Sequence, residues 1–443
     1  MKKIVIVGGG AGGLQLATRL GKRLGKKNLA EITLIDQNRV HLWKPLLHEV
    51  VAGSLDTGAE ALSYRAHSSE NGYYYRMGSM IGLDKQNKNL TLAPLFDHHN
   101  KQVLAQRTVE YDYLVIAVGA RSNDFGLAGV REHCTTLDSA NEAEDFHLTF
   151  LNQFLKYSEE SNEEIEHGEY NVPPQLPPVH IAIVGAGATG VELAAELYNA
   201  VDRLEQFGVK QIHHTSLQVT LIEAFERILP ALPIALASKA QKALEQQGVR
   251  ILTQTMVKDI QSQKLITADG EIKADLIVWA AGVKAPQFLS QLGLPTNRIH
   301  QLEIDSCLNV KGEDAIFAIG DCACLLNGDD KTARPIPPTA QAASQMAALC
   351  TYNLQAKLNG QPLKPFAYND HGTLISLSRF QTLGNLLDEL FKKHWMVEGK
   401  FAQWAYASLY RQHQMTLHGG WKLFWILLGS FIEKRVKPKL KLY

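Results

Sequence analysis

Two glycine-rich turns, each between an apolar strand-like run and a helical pattern, constrain the fold of this chain more than any other feature. The run KIVIV (residues 3–7) leads into GGGAGG (8–13), and HIAIV (180–184) leads into GAGATG (185–190). Both fit G-x-G-x-x-G, in which the first glycine permits the tight turn, the second admits a pyrophosphate to the backbone and the third allows close helix–strand packing. We therefore predict an α/β protein with two Rossmann-like dinucleotide-binding domains.

An acidic residue closes the second strand of each unit, since EITLI (31–35) is followed by Asp36 and LQVTLI (217–222) by Glu223. A carboxylate at this position accepts a hydrogen bond from a ribose hydroxyl, and because it repels a 2′-phosphate, Glu223 favours NADH over NADPH. Arg227 follows closely and would soften this preference if it faced the ribose. Two dinucleotides in one chain favour hydride transfer from a nicotinamide to a bound flavin.

Composition narrows the class of protein. The chain has 443 residues, enough for two or three domains, and a formal net charge of zero, which offers no case for nucleic-acid binding. Its few cysteines are irregularly spaced, which favours a reducing compartment and no metal site: Cys134, Cys307, Cys322, Cys324 and Cys350. The N-terminus resembles no signal peptide, and no apolar stretch approaches the ~20 residues of a membrane span. We expect a cytoplasmic location without a transmembrane segment.

The motif order resembles that of the two-dinucleotide-binding flavoprotein reductases, in which an FAD domain is interrupted by an NAD(P)H domain and resumes at a G-D motif, here Gly320-Asp321. Within that superfamily, essentially the whole chain is similar to the bacterial type II NADH dehydrogenases, which are single-subunit NADH:quinone oxidoreductases. The similarity is carried by HLWKPLLHE (41–49), TGVEL (189–193), WAAGVKAP (279–286) and AQAASQ (340–345). The resemblance implies a first FAD segment (1–172), an NADH domain (173–300), an FAD return (301–350) and a C-terminal domain (351–443).

Site residues follow from the same resemblance. The positions expected to hold FAD are Gly8, Gly9, Gly10, Ala11, Gly12, Gly13, Asp36, Gln37, Lys44, Ala117, Gly119, Gly320, Asp321, Ala340 and Gln341. Those expected to hold NADH are Gly185, Gly187, Gly190, Glu223, Ala281 and Gly282. Glu192 is implied as the catalytic carboxylate, and Gln341 and Gln345 as quinone ligands. Their alternatives are a helix acid favoured by the dipole, solvent-facing glutamines and, for Lys44, an exposed lysine.

The C-terminal region carries an apolar stripe at helical spacing: Trp421, Phe424, Trp425, Leu428 and Ile432. A basic tail follows with Lys434, Arg435, Lys437, Lys439 and Lys441. An apolar stripe beside a basic cluster suits a helix in the interface of an anionic membrane. The resemblance implies peripheral attachment to the cytoplasmic face of the bacterial inner membrane, and the alternative is a homodimer helix with a solvated tail.

Missing cysteines separate related activities. Disulfide reductases of this fold need a cysteine pair after the first fingerprint, and no cysteine precedes Cys134 here. Sulfide:quinone reductases also need cysteines near the flavin and do not use NADH. We expect an FAD-dependent, non-proton-pumping NADH:quinone oxidoreductase of the respiratory chain. The alternatives are a flavin reductase serving a small carrier protein such as ferredoxin, and a non-catalytic redox sensor.

Overall fold

Two parallel sheets, each of five strands, form the centre of the fold. The computed structural model describes residues 1–166, 177–206, 212–327, 334–377, 381–386, 395–398 and 410–436. In spatial order, the first sheet contains Ile316–Ala318, Tyr113–Ile116, Lys2–Val7, Ala30–Asp36 and Tyr74–Met77. The second contains Thr135–Thr136, Leu276–Trp279, Val179–Val184, Leu217–Ile222 and Arg250–Leu252. The predicted fold class and the strands of both fingerprint units are confirmed.

The central strand of each sheet precedes its glycine turn. The chain runs outward from Lys2–Val7 in one direction and later returns to add strands on the other side, so the strand order reverses at its carboxyl end. Val179–Val184 occupies the same place in the second sheet. In open α/β sheets, ligands bind at such a switch point. Both glycine turns therefore lie where a dinucleotide is expected.

Helices cover the faces of these sheets. The longer ones are the first fingerprint helix Ala11–Arg23, Ala140–Glu166, the second fingerprint helix Ala188–Gln206, Ile234–Gln246, the glutamine helix Ala340–Leu358, the docked helix 410–418 and the C-terminal helix Gly420–Val436. Shorter ones are Leu47–Val51, Thr57–Glu60, Tyr64–Asn71 and Gly129–His133. None of the described helices is long and apolar enough to cross a membrane.

Antiparallel strands complete the fold. Three-stranded sheets are formed by Met80–Asp84, Asn89–Leu92 and Arg107–Glu110, by Val257–Gln261, Lys264–Thr267 and Glu271–Lys273, and by Gly372–Leu377, Gln381–Leu386 and Trp395–Glu398. Two-stranded antiparallel ribbons pair Val40–His41 with Leu62–Ser63, Leu95–Phe96 with Gln102–Leu104, Arg121–Ser122 with Val283–Lys284, and Leu326–Asn327 with Arg334–Pro335, whereas Leu302–Glu303 pairs in parallel with Ala323–Cys324. The ribbon of Arg121–Ser122 joins the two dinucleotide-binding units directly.

The acidic stretch SEESNEEIEHGE (158–169), whose composition predicts a surface excursion, is helical as far as Glu166. The helix is held earlier by Phe146, Phe150 and Phe154, which recur every fourth residue and are buried. Because glutamate is a good helix former, the acidic residues can continue a helix that this apolar stripe has already fixed. Residues 167–176, which include most of the proline-rich run VPPQLPP (172–178), lie outside the described part of the chain.

Close backbone packing fixes both glycine turns. Gly8 has a φ of +105° and Gly185 a φ of +103°, a region that L side chains rarely adopt. A Cβ on Gly13 would overlap the carbonyl oxygen of Gly8, and one on Gly190 would overlap that of Gly185. The last glycine of each turn thus lets the helix begin directly against the strand.

We predict that Gly13→Ala destabilises the chain by about 1–3 kcal/mol, because the added methyl group meets backbone rather than a flexible side chain. Gly10→Ala is the matched control, since a Cβ there has no neighbour within 4 Å. Urea unfolding followed by circular dichroism should show a lower midpoint for Gly13→Ala alone. Equal midpoints for the two variants would contradict this account of the turn.

Candidate active site

Three side chains hold the first glycine turn through Gly9. Its N–H donates to Oδ2 of Asp36 at 2.6 Å, and its carbonyl accepts from the Tyr64 hydroxyl at 2.8 Å and bonds Nδ1 of His41 at 2.9 Å. Burial raises the pKa of Asp36, although the amide groups of Gly9 and Asn38 oppose the shift. The predicted ribose acid is therefore tied to the turn that it is expected to serve.

The N-terminus of the first fingerprint helix is open for an anion. Its N-cap, Gly10, has no side chain to occupy the free N–H groups, and the first turn contains no acidic residue. Gly10 also borders open space, because a Cβ there would meet nothing within 4 Å. Ala11 begins the helix, and Gln37 is exposed beyond Asp36. Free N–H groups and the helix dipole at such an end fit a pyrophosphate.

The remaining predicted FAD residues surround the same end of the sheet. Ala117 and Gly119 follow the strand Tyr113–Ile116, and Ala117 lies against Gly8 and Gly13. Gly320 and Gly12 both lie close to Ala343 of the glutamine helix, which begins at the predicted Ala340. The first fingerprint helix, the G-D turn and the glutamine helix therefore meet at one point.

Asp321 and Lys44 place opposite charges beside this point. Burial raises the pKa of the Asp321 carboxyl group, while the charge of Lys44 opposes the shift. No described residue donates a hydrogen bond to that carboxylate, which leaves it free to accept from a ligand hydroxyl. Lys44 donates to the carbonyl of Ala120 at 2.9 Å and to Oδ1 of Asp138 at 3.1 Å. Lys44 is therefore exposed, as its alternative has it, and is also held beside Asp138 by these two bonds.

The second glycine turn repeats the carboxylate anchor. Glu223 accepts from the N–H of Ala186 at 2.8 Å and from that of Phe225 at 3.0 Å. The carbonyl of Ala186 accepts from the N–H of Leu229 at 2.8 Å, so residues just after the ribose acid hold this turn. A Cβ on Gly187 would meet nothing within 4 Å, which leaves space for a phosphate. Ala281 and Gly282 follow the strand Leu276–Trp279 at the same edge.

Arg227 is bonded to the main chain of the segment that follows Glu223. Its guanidinium group donates to the carbonyls of Leu229, Pro230 and Leu232 at 2.8–3.1 Å. An arginine whose donors are used in this way does not offset the repulsion between Glu223 and a 2′-phosphate.

Glu192 is buried where three parts of the chain meet. It lies on the second fingerprint helix, accepts from the N–H of Ser376 at 3.0 Å, and has Oε2 3.7 Å from Nδ1 of His48. Burial lowers the pKa of His48 to about 4, although the charge of Glu196 opposes the shift. Glu196 accepts from the Ser54 hydroxyl at 3.3 Å. A helix acid favoured only by the dipole would not need these contacts.

The two predicted glutamines converge on the main chain of one residue. Nε2 of Gln341 and Nε2 of Gln345 donate to the carbonyl of Asn369 at 3.0 and 2.7 Å. The N–H of Asn369 donates to Oε1 of Gln345 at 3.0 Å. Their shared helix face is confirmed, and the alternative of solvent-facing glutamines is wrong.

Several contacts of the site residues are missing from the sequence prediction. Tyr64, Asp138, Ser376 and Asn369 contact predicted positions from segments far away in the chain. None belongs to a recurring motif, and Ser376 and Asn369 contribute main-chain atoms that carry no residue-type signal. His41 lies within HLWKPLLHE (41–49), a run that carries the resemblance without assigning this histidine a role.

Comparison with known proteins places the chain in a family. Residues 2–347 match the model described as pyridine nucleotide-disulphide oxidoreductase. A type II NADH:quinone oxidoreductase of Haemophilus influenzae is 47% identical, and the alignment covers 100% of both chains. This chain belongs to the type II NADH:quinone oxidoreductase family. A member of that name from Staphylococcus aureus is 29% identical over 88% of this chain and 90% of its own. Membership confirms the family resemblance and the assignment as an oxidoreductase.

Solved structures share the fold of this family member. NDH2 from Plasmodium falciparum, determined in complex with NADH, superposes with a TM-score of 0.79 at 20% identity over 100% of this chain and 99% of its own. The sulfide:quinone oxidoreductase from Aquifex aeolicus gives a TM-score of 0.69 at 18% identity, over 98% and 95% of the two chains. The two-dinucleotide fold is therefore common to enzymes with different electron donors.

We predict that Glu223→Gln lowers the ratio of kcat/KM for NADH to that for NADPH by at least about tenfold, because hydrogen bonds to a charged group contribute about 1.5–3 kcal/mol. Steady-state oxidation of both nucleotides measures the ratio. Arg227→Ala is the control, since its guanidinium group holds main-chain carbonyls. A changed ratio in the Arg227 variant, with none in the Glu223 variant, would reverse the assignment.

Proposed function

We propose that this chain is an FAD-dependent NADH:quinone oxidoreductase of a respiratory chain, peripheral to the cytoplasmic face of a bacterial inner membrane. The observation that carries the proposal is one chain with two carboxylate-anchored glycine turns and 47% identity over its whole length to a type II NADH:quinone oxidoreductase. The non-proton-pumping character is carried over from the family resemblance. FAD, NADH and quinone are the ligands that the proposal requires.

The residues around the first turn fit FAD. Open N–H groups at Ala11–Arg23 suit its pyrophosphate, Asp36 suits a ribose, and the Asp321 carboxylate suits a hydroxyl group of the ribityl chain. A bound flavin supplies a centre that takes a hydride from NADH and passes two electrons to a quinone. The second turn and Glu223 bind NADH in this proposal, with Ala281 and Gly282 closing the edge of the site.

Reduction of a quinone also consumes two protons, and the chain must offer groups that bind the quinone and move protons. Glu192 is the proposed carboxylate, because its buried side chain is fixed by Ser376 and lies beside His48. Gln345 uses both its amide N–H and its oxygen on Asn369, which fixes that segment. Gln341 bonds the same carbonyl through Nε2, and in this proposal its neutral amide oxygen is the acceptor offered to the quinone.

The C-terminal helix supplies the proposed membrane contact. Trp421 is 75% exposed, and Phe424 and Trp425 are each 54% exposed on Gly420–Val436. Leu428 and Ile432 are also exposed and extend this apolar face. A long-tailed quinone partitions into the bilayer, so an enzyme bound to the membrane surface reaches it directly. Residues 437–443, which include most of the basic tail, lie outside the described part of the chain, and the side chains of Lys434 and Arg435 are not described.

The direct test uses the purified full-length protein. We expect a flavin spectrum that bleaches with NADH, with FAD identified after heat release, and recovers when a soluble quinone analogue is added. Absence of a flavin, or a flavin that NADH does not bleach, contradicts the proposal. Reoxidation by a small carrier protein but not by quinone contradicts the acceptor and favours a carrier-linked reductase.

Glu192→Gln should slow quinone-dependent turnover by about 100-fold or more, the usual contribution of a positioned acid–base group. Bleaching by NADH in the absence of quinone should remain within a few-fold of the parent rate. Stopped-flow absorbance separates the two half-reactions. Glu205→Gln is the control, because Glu205 is an exposed residue on the same helix. Equal losses in both half-reactions would show that Glu192 is not specific to the quinone step.

Replacing Trp421, Phe424 and Trp425 together by Ser should weaken binding to anionic lipid vesicles by at least about tenfold, since burial of one large apolar side chain contributes about 1.5–3 kcal/mol. Vesicle sedimentation measures the partition. A Phe96→Ser and Val103→Ser variant is the control, because both residues are exposed on the Leu95–Leu104 ribbon. Unchanged sedimentation together with a lost dimer would favour the dimer alternative.

A further inference from the structure

A run of buried polar contacts connects the first glycine turn to the docked helix (410–418). Nδ1 of His41 bonds the Gly9 carbonyl at 2.9 Å, and Nε2 of His41 lies 3.1 Å from Nε2 of His413. Nδ1 of His413 lies 2.9 Å from Nε2 of Gln15, and Oε1 of Gln15 accepts from the Ser344 hydroxyl at 2.7 Å. We call these five residues the polar bridge. It reaches from the turn to the first fingerprint helix and the glutamine helix.

The partners fix the direction of every hydrogen bond in the polar bridge. A carbonyl only accepts, so Nδ1 of His41 must carry a proton toward Gly9. A neutral imidazole has one donor and one acceptor nitrogen, so Nε2 of His41 accepts and Nε2 of His413 donates. Nδ1 of His413 then accepts from the amide of Gln15, whose oxygen accepts from Ser344. The run is complete only when both imidazoles are neutral.

Burial keeps both histidines neutral. His41, His413 and Gln15 are each at most 6% exposed. Desolvation lowers the pKa of His41 to about 4 and that of His413 to about 2, and neighbouring His67 and His418 add to the lowering. Protonation of His41 would set two N–H groups against each other at the 3.1 Å contact with His413, and protonation of His413 would do so at the 2.9 Å contact with Gln15.

The docked helix has one face on the flavin-binding unit. Its contacts recur at helical spacing, with Tyr410 donating to Glu60 at 2.8 Å, His413 in ring contact with Trp43 at 3.9 Å, and Leu417 buried. Gly419, with a φ of +79°, then separates this helix from the exposed helix Gly420–Val436. Gly419 is therefore the one residue between the docked helix, which carries His413, and the C-terminal helix.

Among the residues that the structure describes, the second glycine turn is held by the segment that follows Glu223. The Ala186 carbonyl accepts from the N–H of Leu229, and Arg227 fixes the segment that contains Leu229. These residues follow Glu223 directly in sequence. The first turn is instead held by His41, which in turn contacts His413 near the opposite end of the chain.

We propose that His413 is a positioning residue of the flavin nucleotide site, so that docking of residues 410–418 holds Gly9 and determines how tightly the flavin is retained. The inference rests on the proposed function in placing FAD at the first turn. Loss of the docked helix frees Nε2 of His41 and Nε2 of Gln15 together, and the Gly9 carbonyl then loses a fixed donor. NADH binding at the second turn stays unchanged, because that turn is held locally.

The test is flavin release from the full-length holoprotein. We expect His413→Ala to raise the dissociation constant for FAD at least about tenfold, measured by flavin fluorescence on dilution. Gln412→Ala is the matched control, because Gln412 is exposed on the same helix. The dissociation constant for NADH, measured by calorimetry on each variant, should not change. His413→Gln should restore most of the flavin affinity, since an amide can donate to His41 and accept from Gln15.

A pH profile separates positioning from simple packing. The pKa of His41 is 6.5 when the helix is undocked and about 4 when it is docked. Docking is therefore unaffected by pH above 6.5. Below pH 6.5 docking weakens progressively, because the undocked state binds the proton more tightly. The end of the docked helix is also surrounded by other titratable groups, which the parent and His413→Gln share: His67, His418, Lys22, Lys422 and Glu70. Flavin release from the parent should rise as pH falls from 6.5 toward 4, and the rise should be shallower in His413→Gln.

Three outcomes overturn the inference. The first is parental flavin affinity in His413→Ala, and the second is equal losses of FAD and NADH affinity. The third is identical pH profiles for the parent and His413→Gln. A parent protein that binds no flavin at all would instead overturn the proposed function, so the two failures are distinct.

Discussion

The contact between two glycines, Gly13 and the carbonyl of Gly8, sets the position of almost everything else around the first turn. Since neither residue has a Cβ, the helix starts directly against the central strand, at the edge where the strand order reverses. The free N–H groups of the helix then face the ligand space instead of a capping side chain. Asp36, His41 and Tyr64 all act on Gly9, which lies inside this contact. A displaced helix would misplace all three at once.

The chain uses this solution twice but supports it differently. Both turns place a carboxylate against the N–H after the first glycine, from Asp36 in one unit and Glu223 in the other. The second turn is completed by its own downstream segment, whereas the first relies on side chains from residues 41, 64 and 413. A substrate that comes and goes needs only a local site. A resident cofactor gains from a site that the whole fold encloses, since its release then requires wider opening of the protein.

Local patterns in the sequence were enough to predict the strands and helices of the two fingerprint units and the acid that follows each second strand, because each depends on residues a few positions apart. They did not decide features that depend on the folded conformation of the chain. The direction of Arg227 is set by carbonyls of a folded turn, and the acidic stretch is helical because Phe146, Phe150 and Phe154 are buried beneath its start. The contact between His41 and His413 spans 372 positions, so no motif contains it.

The C-terminal region contacts Glu192 and the two predicted glutamines. Glu192 is held by the N–H of Ser376, and both glutamines are held by Asn369, so the segment 369–376 joins residues from two separate helices. The docked helix holds the flavin turn through His413 in the same way. A region that served only to attach the protein to a surface would need none of these contacts. The described residues of the C-terminal region therefore contact both Glu192 and His41, which belong to the two dinucleotide-binding units.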